Sequence, residues 1–110
     1  MAIAIALGAF GAHALKPVLT ATASGVYETA VLYLLLHALA LSALPFRASS
    51  ARFLLLGMLF FSGSLLLLST RAFHGLELRW LGPITPIGGL CLMAGWVLHA
   101  YHLFISKSAK

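Results

Sequence analysis

The sequence predicts an all-α integral membrane protein, a bundle of four transmembrane helices with both termini on the same side. Three observations carry that expectation. Of the 110 residues 62% are hydrophobic and only 8% charged, with a mean hydropathy of +1.05, which leaves too little polar side chain to cover a soluble domain. Four apolar stretches, residues 1–15, 26–44, 53–70 and 83–105, approach the length that crosses a ~30 Å hydrocarbon core at about 1.5 Å per residue. The seven Lys and Arg and the two Glu fall between those stretches or at their ends, where headgroups and water receive charge. The whole chain, 1–110, makes one domain.

The first stretch is an unbroken run of Ala, Ile, Leu, Gly and Phe. A secretory signal is the first alternative, but no positive charge precedes the apolar run and Ala12-His13-Ala14 is a poor cleavage site, so a retained helix is expected. On a helical wheel Ala4, Gly8, Gly11, Ala12 and Leu15 share one side, while Ala2, Ala6, Ala9 and His13 share another. Both sides are small, and small sides are where membrane helices approach each other. Lys16-Pro17 ends the helix, since proline disfavours helical backbone in the residue before it. Val18 to Gly25 then reads as a mildly polar connector.

The second stretch carries an ionisable side chain, His37, deep in its apolar run, where a polar group needs a partner. Val26, Thr29, Tyr33, His37, Ala40 and Leu44 fall on one side and are expected to face protein, with Glu28 in the first turn at the positive end of the helix dipole. Pro45 closes the span. Arg47 and Arg52 bracket a turn from Phe46 to Ala51, and the third span follows with Ser62, Gly63, Ser69 and Thr70 on adjoining sides as a packing face. The connector Arg71 to Gly82, with His74, Glu77, Arg79 and Trp80, has the composition of an interface. Pro83 opens the fourth span, in a first turn where its missing N–H costs nothing. There Thr85, Gly88, Cys91, Gly95, His99 and His102 form one stripe, in which Gly88 and Gly95 admit another backbone. The tail Ser106 to Lys110 reads as solvated.

These residue types exclude several functions. Cys91 stands alone and makes no internal disulfide. Ser62-Gly63-Ser64 lacks the frame of a nucleophile elbow, and Gly8, Gly11 and the Gly88-Gly89 pair follow no strand and precede no phosphate-loop lysine. No enzyme, no metal site and no nucleic-acid partner is expected. A haem held by His37 and His99 suits the imidazole ligands but is prompted by nothing else, so no cofactor is expected either. A polar pocket of Tyr33, His37 and His99 is the one place where polarity lies deep. Arg47, Arg52, His102 and Lys107 suit an anionic lipid headgroup, and Gly8, Gly11, Ala12, Ser62, Gly63, Gly88 and Gly95 suit helix packing. Arg47, Arg52, Lys107 and Lys110 on the terminal side, against Lys16, Arg71 and Arg79 on the other, place both termini in the cytoplasm.

Four blocks, Gly8-Ala9-Phe10-Gly11-Ala12-His13-Ala14-Leu15, Tyr27-Glu28-Thr29-Ala30-Val31 with Tyr33 and His37-Ala38-Leu39-Ala40-Leu41, Phe61-Ser62-Gly63-Ser64, and Ile84-Thr85-Pro86-Ile87-Gly88-Gly89-Leu90 with Gly95-Trp96, resemble the bacterial family known as domain of unknown function 423, whose animal relative is transmembrane protein 256. The blocks run in order over nearly the whole chain. Two features depart from the family pattern: the chain starts later, shortening the first helix, and Leu34 stands where a polar residue often follows the tyrosine. The resemblance implies a multi-pass protein of the bacterial inner membrane, with no activity to carry over. The function expected is that of a structural or accessory subunit, surrounded by membrane lipids, which docks onto a larger membrane complex, such as one of electron transport, or assembles with copies of itself. The alternatives are passage of a small solute or proton through an oligomer, with His37 as relay, and a lipid- or cofactor-binding bundle.

Overall fold

A computed structural model describes residues 1–108, and Lys110, counted above with the basic residues of the terminal side, lies outside them. Every regular element among the described residues is a helix. Helix α1 runs Ala2–Phe10 and continues as a wider π turn, Gly11–Leu15; α2 spans Ala21–Ala43, α3 Ala48–Ser69, the short α4 Arg71–His74 and α5 Leu81–Ser108. Three of these, α2, α3 and α5, are long and apolar enough to cross a membrane, while α1 is a shorter apolar helix.

Local chemistry sets the ends. The π turn closes through the Lys16 N–H on the Gly11 carbonyl at 2.9 Å, and Pro17 stops the helix there. Helix α2 then starts earlier than expected, because Thr20 caps it: the Thr20 hydroxyl accepts from the Ala23 N–H at 3.2 Å. The supposed connector Val18 to Gly25 is thus largely helix, and Glu28 lies beyond the first turn rather than within it. Leu44 turns extended before Pro45 and ends α2. Helix α3 begins at Ala48, so Arg52 sits on the helix and not in the preceding turn. At its far end the Ser69 and Thr70 hydroxyls both donate to the Leu66 carbonyl, at 2.9 and 2.8 Å. Gly75, at φ +62°, ends α4 in the left-handed conformation that glycine adopts without penalty. His74 ties this connector back: its Nε2–H donates to the Leu67 carbonyl at 3.1 Å while Nδ1 accepts from the Leu76 N–H at 3.2 Å. Helix α5 extends through Ser108, with Lys107 in its last turn at the negative end of the dipole, so the expected solvated tail is helical as far as it is described.

Among the described residues backbones come together between α1 and α2, α2 and α3, α3 and α5, and α3 and the short α4, an array in chain order in which α2 and α5 meet through side chains alone. The molecule measures 55 × 28 × 18 Å. Its tightest seam is antiparallel, between α3 and α5, where Leu54, Gly57, Phe61 and Ser64 meet Gly95, Leu92, Gly88 and Thr85 in turn. A Cβ on Gly57 would lie 2.6 Å from the Leu92 side chain, one on Gly95 2.7 Å from Leu54, and one on Gly88 would run into the Phe61 backbone. Each of these three layers sets a large residue against a glycine, and the alternating spacings of three and four are those of a left-handed coil. Continued by one layer, the same register sets the buried His99 opposite the fully buried Ser50.

Helix α2 presents a different side from the one its pattern suggested. Tyr27, Ala30, Val31 and His37 are buried, whereas Thr29, Tyr33 and Leu44 are exposed. The Thr29 hydroxyl needs no neighbouring helix, since it donates to the Gly25 carbonyl one turn back at 2.9 Å. Polarity alone therefore misplaced the face. On the α1 side Leu15, Tyr27 and Val31 form a small cluster joined by Leu7, Leu19, Leu35 and Leu66, and the Tyr27 hydroxyl donates to the Leu7 carbonyl at 2.8 Å.

Candidate functional site

The deep polar residue of α2 finds its partner on α5, across a gap the two backbones do not close. His37 Nδ1 lies 2.7 Å from the Tyr33 carbonyl, and Trp96 Nε1–H donates to His37 Nε2 at 3.2 Å. Together these contacts set the tautomer: an imidazole that donates from Nδ1 and accepts at Nε2 is neutral, with both nitrogens committed. The Tyr33 ring stacks on His37 at 5.8 Å and 17°, and packs against Phe61 of α3 at 4.6 Å. Beyond Trp96, Phe46 lies edge-on to the indole at 5.5 Å and against the His99 ring at 4.0 Å.

The expected pocket of Tyr33, His37 and His99 is therefore not a single site. Trp96 stands between the two imidazoles, 6.2 Å from His37 and 6.1 Å from His99, and it occupies the His37 lone pair that an iron would need. A haem shared by His37 and His99 does not fit this arrangement. Among the described residues no three His, Cys, Asp or Glu side chains gather as metal ligands.

Between α2 and α5, floored by Phe61 and Leu92, runs an apolar groove of about 830 Å³ lined by Tyr33, His37, Pro86, Gly89, Leu90, Met93, Trp96 and Val97. The Trp96–His37 hydrogen bond bridges the walls at one end of it. A smaller groove of about 260 Å³ separates α1 from α2, with Gly8, Gly11, Ala12, Lys16 and Glu28 on its rim.

Of the lipid-headgroup residues, the fold gathers Arg47, Arg52, His102 and Lys107 at the end where α2 stops, α3 starts and α5 finishes. Arg47, Arg52 and Lys107 are exposed, while His102 is half-buried and shares a 3.2 Å hydrogen bond between Nδ1 and the Ser50 hydroxyl. Of the packing residues, Gly88 and Gly95 lie in the α3–α5 seam, Gly8 meets Val31, and Gly11 lies flat against the Tyr27 ring. Ala12 is exposed at the groove rim, Gly63 has nothing near the place of a Cβ, and the buried Ser62 hydroxyl finds no partner among the described residues.

Sequence reasoning missed Trp96 as the partner of His37, and Gly57, Ser50 and the Ser64–Thr85 pair as parts of the seam. A signal for Trp96 was present: an indole N–H in the middle of a span rather than at its end requires an acceptor, and His37 is the acceptor at matching depth on the neighbouring side. The Ser64 and Thr85 hydroxyls share a 2.6 Å hydrogen bond across the seam, and each also lies near a carbonyl of its own helix, Phe61 at 2.9 Å and Leu81 at 3.4 Å.

The family model described as protein of unknown function (DUF423) matches residues 7–89. A protein named UPF0382 membrane protein from Haemophilus influenzae is 42% identical, the match covering 94% of this chain and 86% of that protein. The UPF0382 membrane protein SH2409 from Staphylococcus haemolyticus is 38% identical over 87% of this chain and 81% of its own length. The UPF0382 inner membrane protein YgdD of Escherichia coli K12 is 37% identical over 87% and 76%. No solved structure matches the chain.

Proposed function

The chain belongs to the DUF423 family of UPF0382 membrane proteins, and we propose that it is a structural subunit of the inner membrane, assembling with a further transmembrane helix through the outer side of α1. One observation carries the proposal. Ala4, Gly8, Gly11 and Leu15 turn toward α2, so the second small side of α1, Ala2, Ala6, Ala9 and His13, faces outward and is exposed. Lipid tails gain nothing from alanine over leucine, whereas another helix gains close approach, and His13 gains a hydrogen-bond partner. The neighbour is a second copy of this chain or a helix of another subunit.

In this reading α1 is the fourth crossing. Its fourteen residues, Ala2–Leu15, rise about 21 Å, short of the ~30 Å core, and an added neighbour on its outer side would shelter it. Both termini are cytoplasmic, following the basic residues Arg47, Arg52, Lys107 and Lys110. The hydrogen bonds of His37 to the Tyr33 carbonyl and the Trp96 indole support a structural role for that imidazole over a proton relay.

Extraction in mild detergent tests this. The parent protein is expected to migrate as a complex, and Ala6→Phe as a single chain of unchanged helical content. In a Cys91→Ala background, Ala6→Cys is expected to form a disulfide-linked species on mild oxidation when the neighbour is a second copy. A parent protein that runs as a single chain with nothing attached overturns the reading.

A further inference from the structure

The groove between α2 and α5 holds a donor with nothing to donate to. Tyr33 is the thirteenth of the twenty-three residues of α2, at the middle of the span, and lines the groove with 37% of its surface exposed. Its ring is held by His37 and Phe61, yet its hydroxyl makes no hydrogen bond among the described residues. At that depth lipid offers no acceptor, since ester groups lie about 15 Å away, half the thickness of the core. The neighbouring His37 has no free donor or acceptor to complete the phenol. An unpaired O–H in hydrocarbon is costly, so whatever fills the groove is selected for bringing an acceptor to the mid-plane.

We propose that this groove binds an uncharged, alkyl-tailed carbonyl compound of the quinone class, with the Tyr33 hydroxyl donating to one of its carbonyl oxygens. The volume, about 830 Å³, falls in the range of small-molecule sites. No charged side chain lines it, so nothing there neutralises a charged ligand. Phe61, which packs on Tyr33, and Trp96, which packs on His37, both line the groove and suit a flat head, and the open flank at Leu90 and Val97 gives the tail an exit into lipid. An acyl chain alone would leave the phenol unpaired. This site is separate from the α1 edge, and either stands without the other.

The test uses the full chain in lipid nanodiscs with Trp80→Phe, which leaves Trp96 as the sole indole reporter. Titration with a short-tailed ubiquinone is expected to quench Trp96 saturably. Tyr33→Phe, which keeps the ring and its packing, is expected to weaken binding about tenfold, the worth of one buried hydrogen bond. Gly89→Leu is expected to abolish saturation, because its side chain enters the groove while its Cβ meets the Phe61 ring at an ordinary 3.7 Å. Equal quenching by an alkylbenzene of the same tail, or an unchanged curve in Tyr33→Phe, overturns the assignment. A photoreactive residue at Val97 that captures another polypeptide in native membranes also overturns it and gives the groove to a protein contact.

Discussion

Two of the antiparallel seams of this molecule, α3 against α5 and α1 against α2, are built on glycine and hold their helices with very different firmness. Along α3 and α5 three successive layers each set a large residue against a glycine, and a Cβ on any of the three glycines would crowd backbone of the facing helix. A hydroxyl pair, Ser64 and Thr85, adds a hydrogen bond across the same seam. Along α1 and α2 the glycines meet only side chains, the Tyr27 ring and a Val31 methyl, and a groove remains between the helices. Burial in lipid supplies no hydrophobic drive for either seam, so the difference lies in how closely the atoms fit. The α3–α5 pair is the fixed frame. The α1 helix is an edge, and an edge is where assembly is expected.

The largest effect that bears on this contrast is a single methyl group. Gly88→Ala places a Cβ against the Phe61 backbone and is expected to destabilise the fold by about 2–3 kcal/mol, read as a shifted unfolding midpoint on titration with a denaturing detergent. Gly11→Ala meets the Tyr27 ring instead, which can swing at the expense of its hydrogen bond to the Leu7 carbonyl, while alanine favours helix over glycine. A net loss below about 1 kcal/mol is expected there. Equal losses at the two positions would mean that the seams are equally rigid and would remove the distinction.

The bridge between α2 and α5 comes next. Trp96→Phe removes the indole donor, leaves His37 Nε2 unpaired and is expected to cost about 1–2 kcal/mol by the same titration. The altered His37 environment is expected to appear as a shifted imidazole nitrogen resonance. No change in that resonance would mean that Trp96 and His37 are not bonded in the membrane.

Much of this architecture was legible in the sequence and some was not, for physical reasons. Composition and span length identify helices in lipid because the hydrocarbon admits little else. Gly88 and Gly95 were legible as close approaches, since a repeat of seven returns to the same side of a helix. Gly63 reads the same way and has no neighbour, because a glycine shows that approach is allowed and not that it occurs. The buried side of α2 was misplaced because Thr29 satisfies itself one turn back, so polarity did not mark the inward face. Nor does a pattern of four apolar stretches tell a closed bundle from an open row, since either buries small residues against neighbours. The site followed the same rule: His37 announced a need for a partner, and the identity of Trp96 depended on which helices lie side by side.

A weaker effect sharpens the seam itself. Ser64→Ala and Thr85→Val remove the two ends of one hydrogen bond, and a double-mutant cycle is expected to give a coupling of about 0.6 kcal/mol, typical of such pairs inside membranes. A coupling near zero would leave shape alone to hold α3 on α5.

The smallest expected effect has the opposite sign. Gly63 sits inside α3 and a Cβ there would touch nothing within 4 Å, in contrast to Gly57 two turns away, where a Cβ would strike Leu92. If glycine in this helix is present for close approach, it is needed at position 57 and is only a loss of helical preference at position 63. Gly63→Ala is therefore expected to stabilise the protein by about 0.5 kcal/mol while Gly57→Ala destabilises it, both measured on the same detergent titration. A destabilising Gly63→Ala would place an unseen helix against that side of α3, and the outward docking proposed for α1 would have to be shared with it.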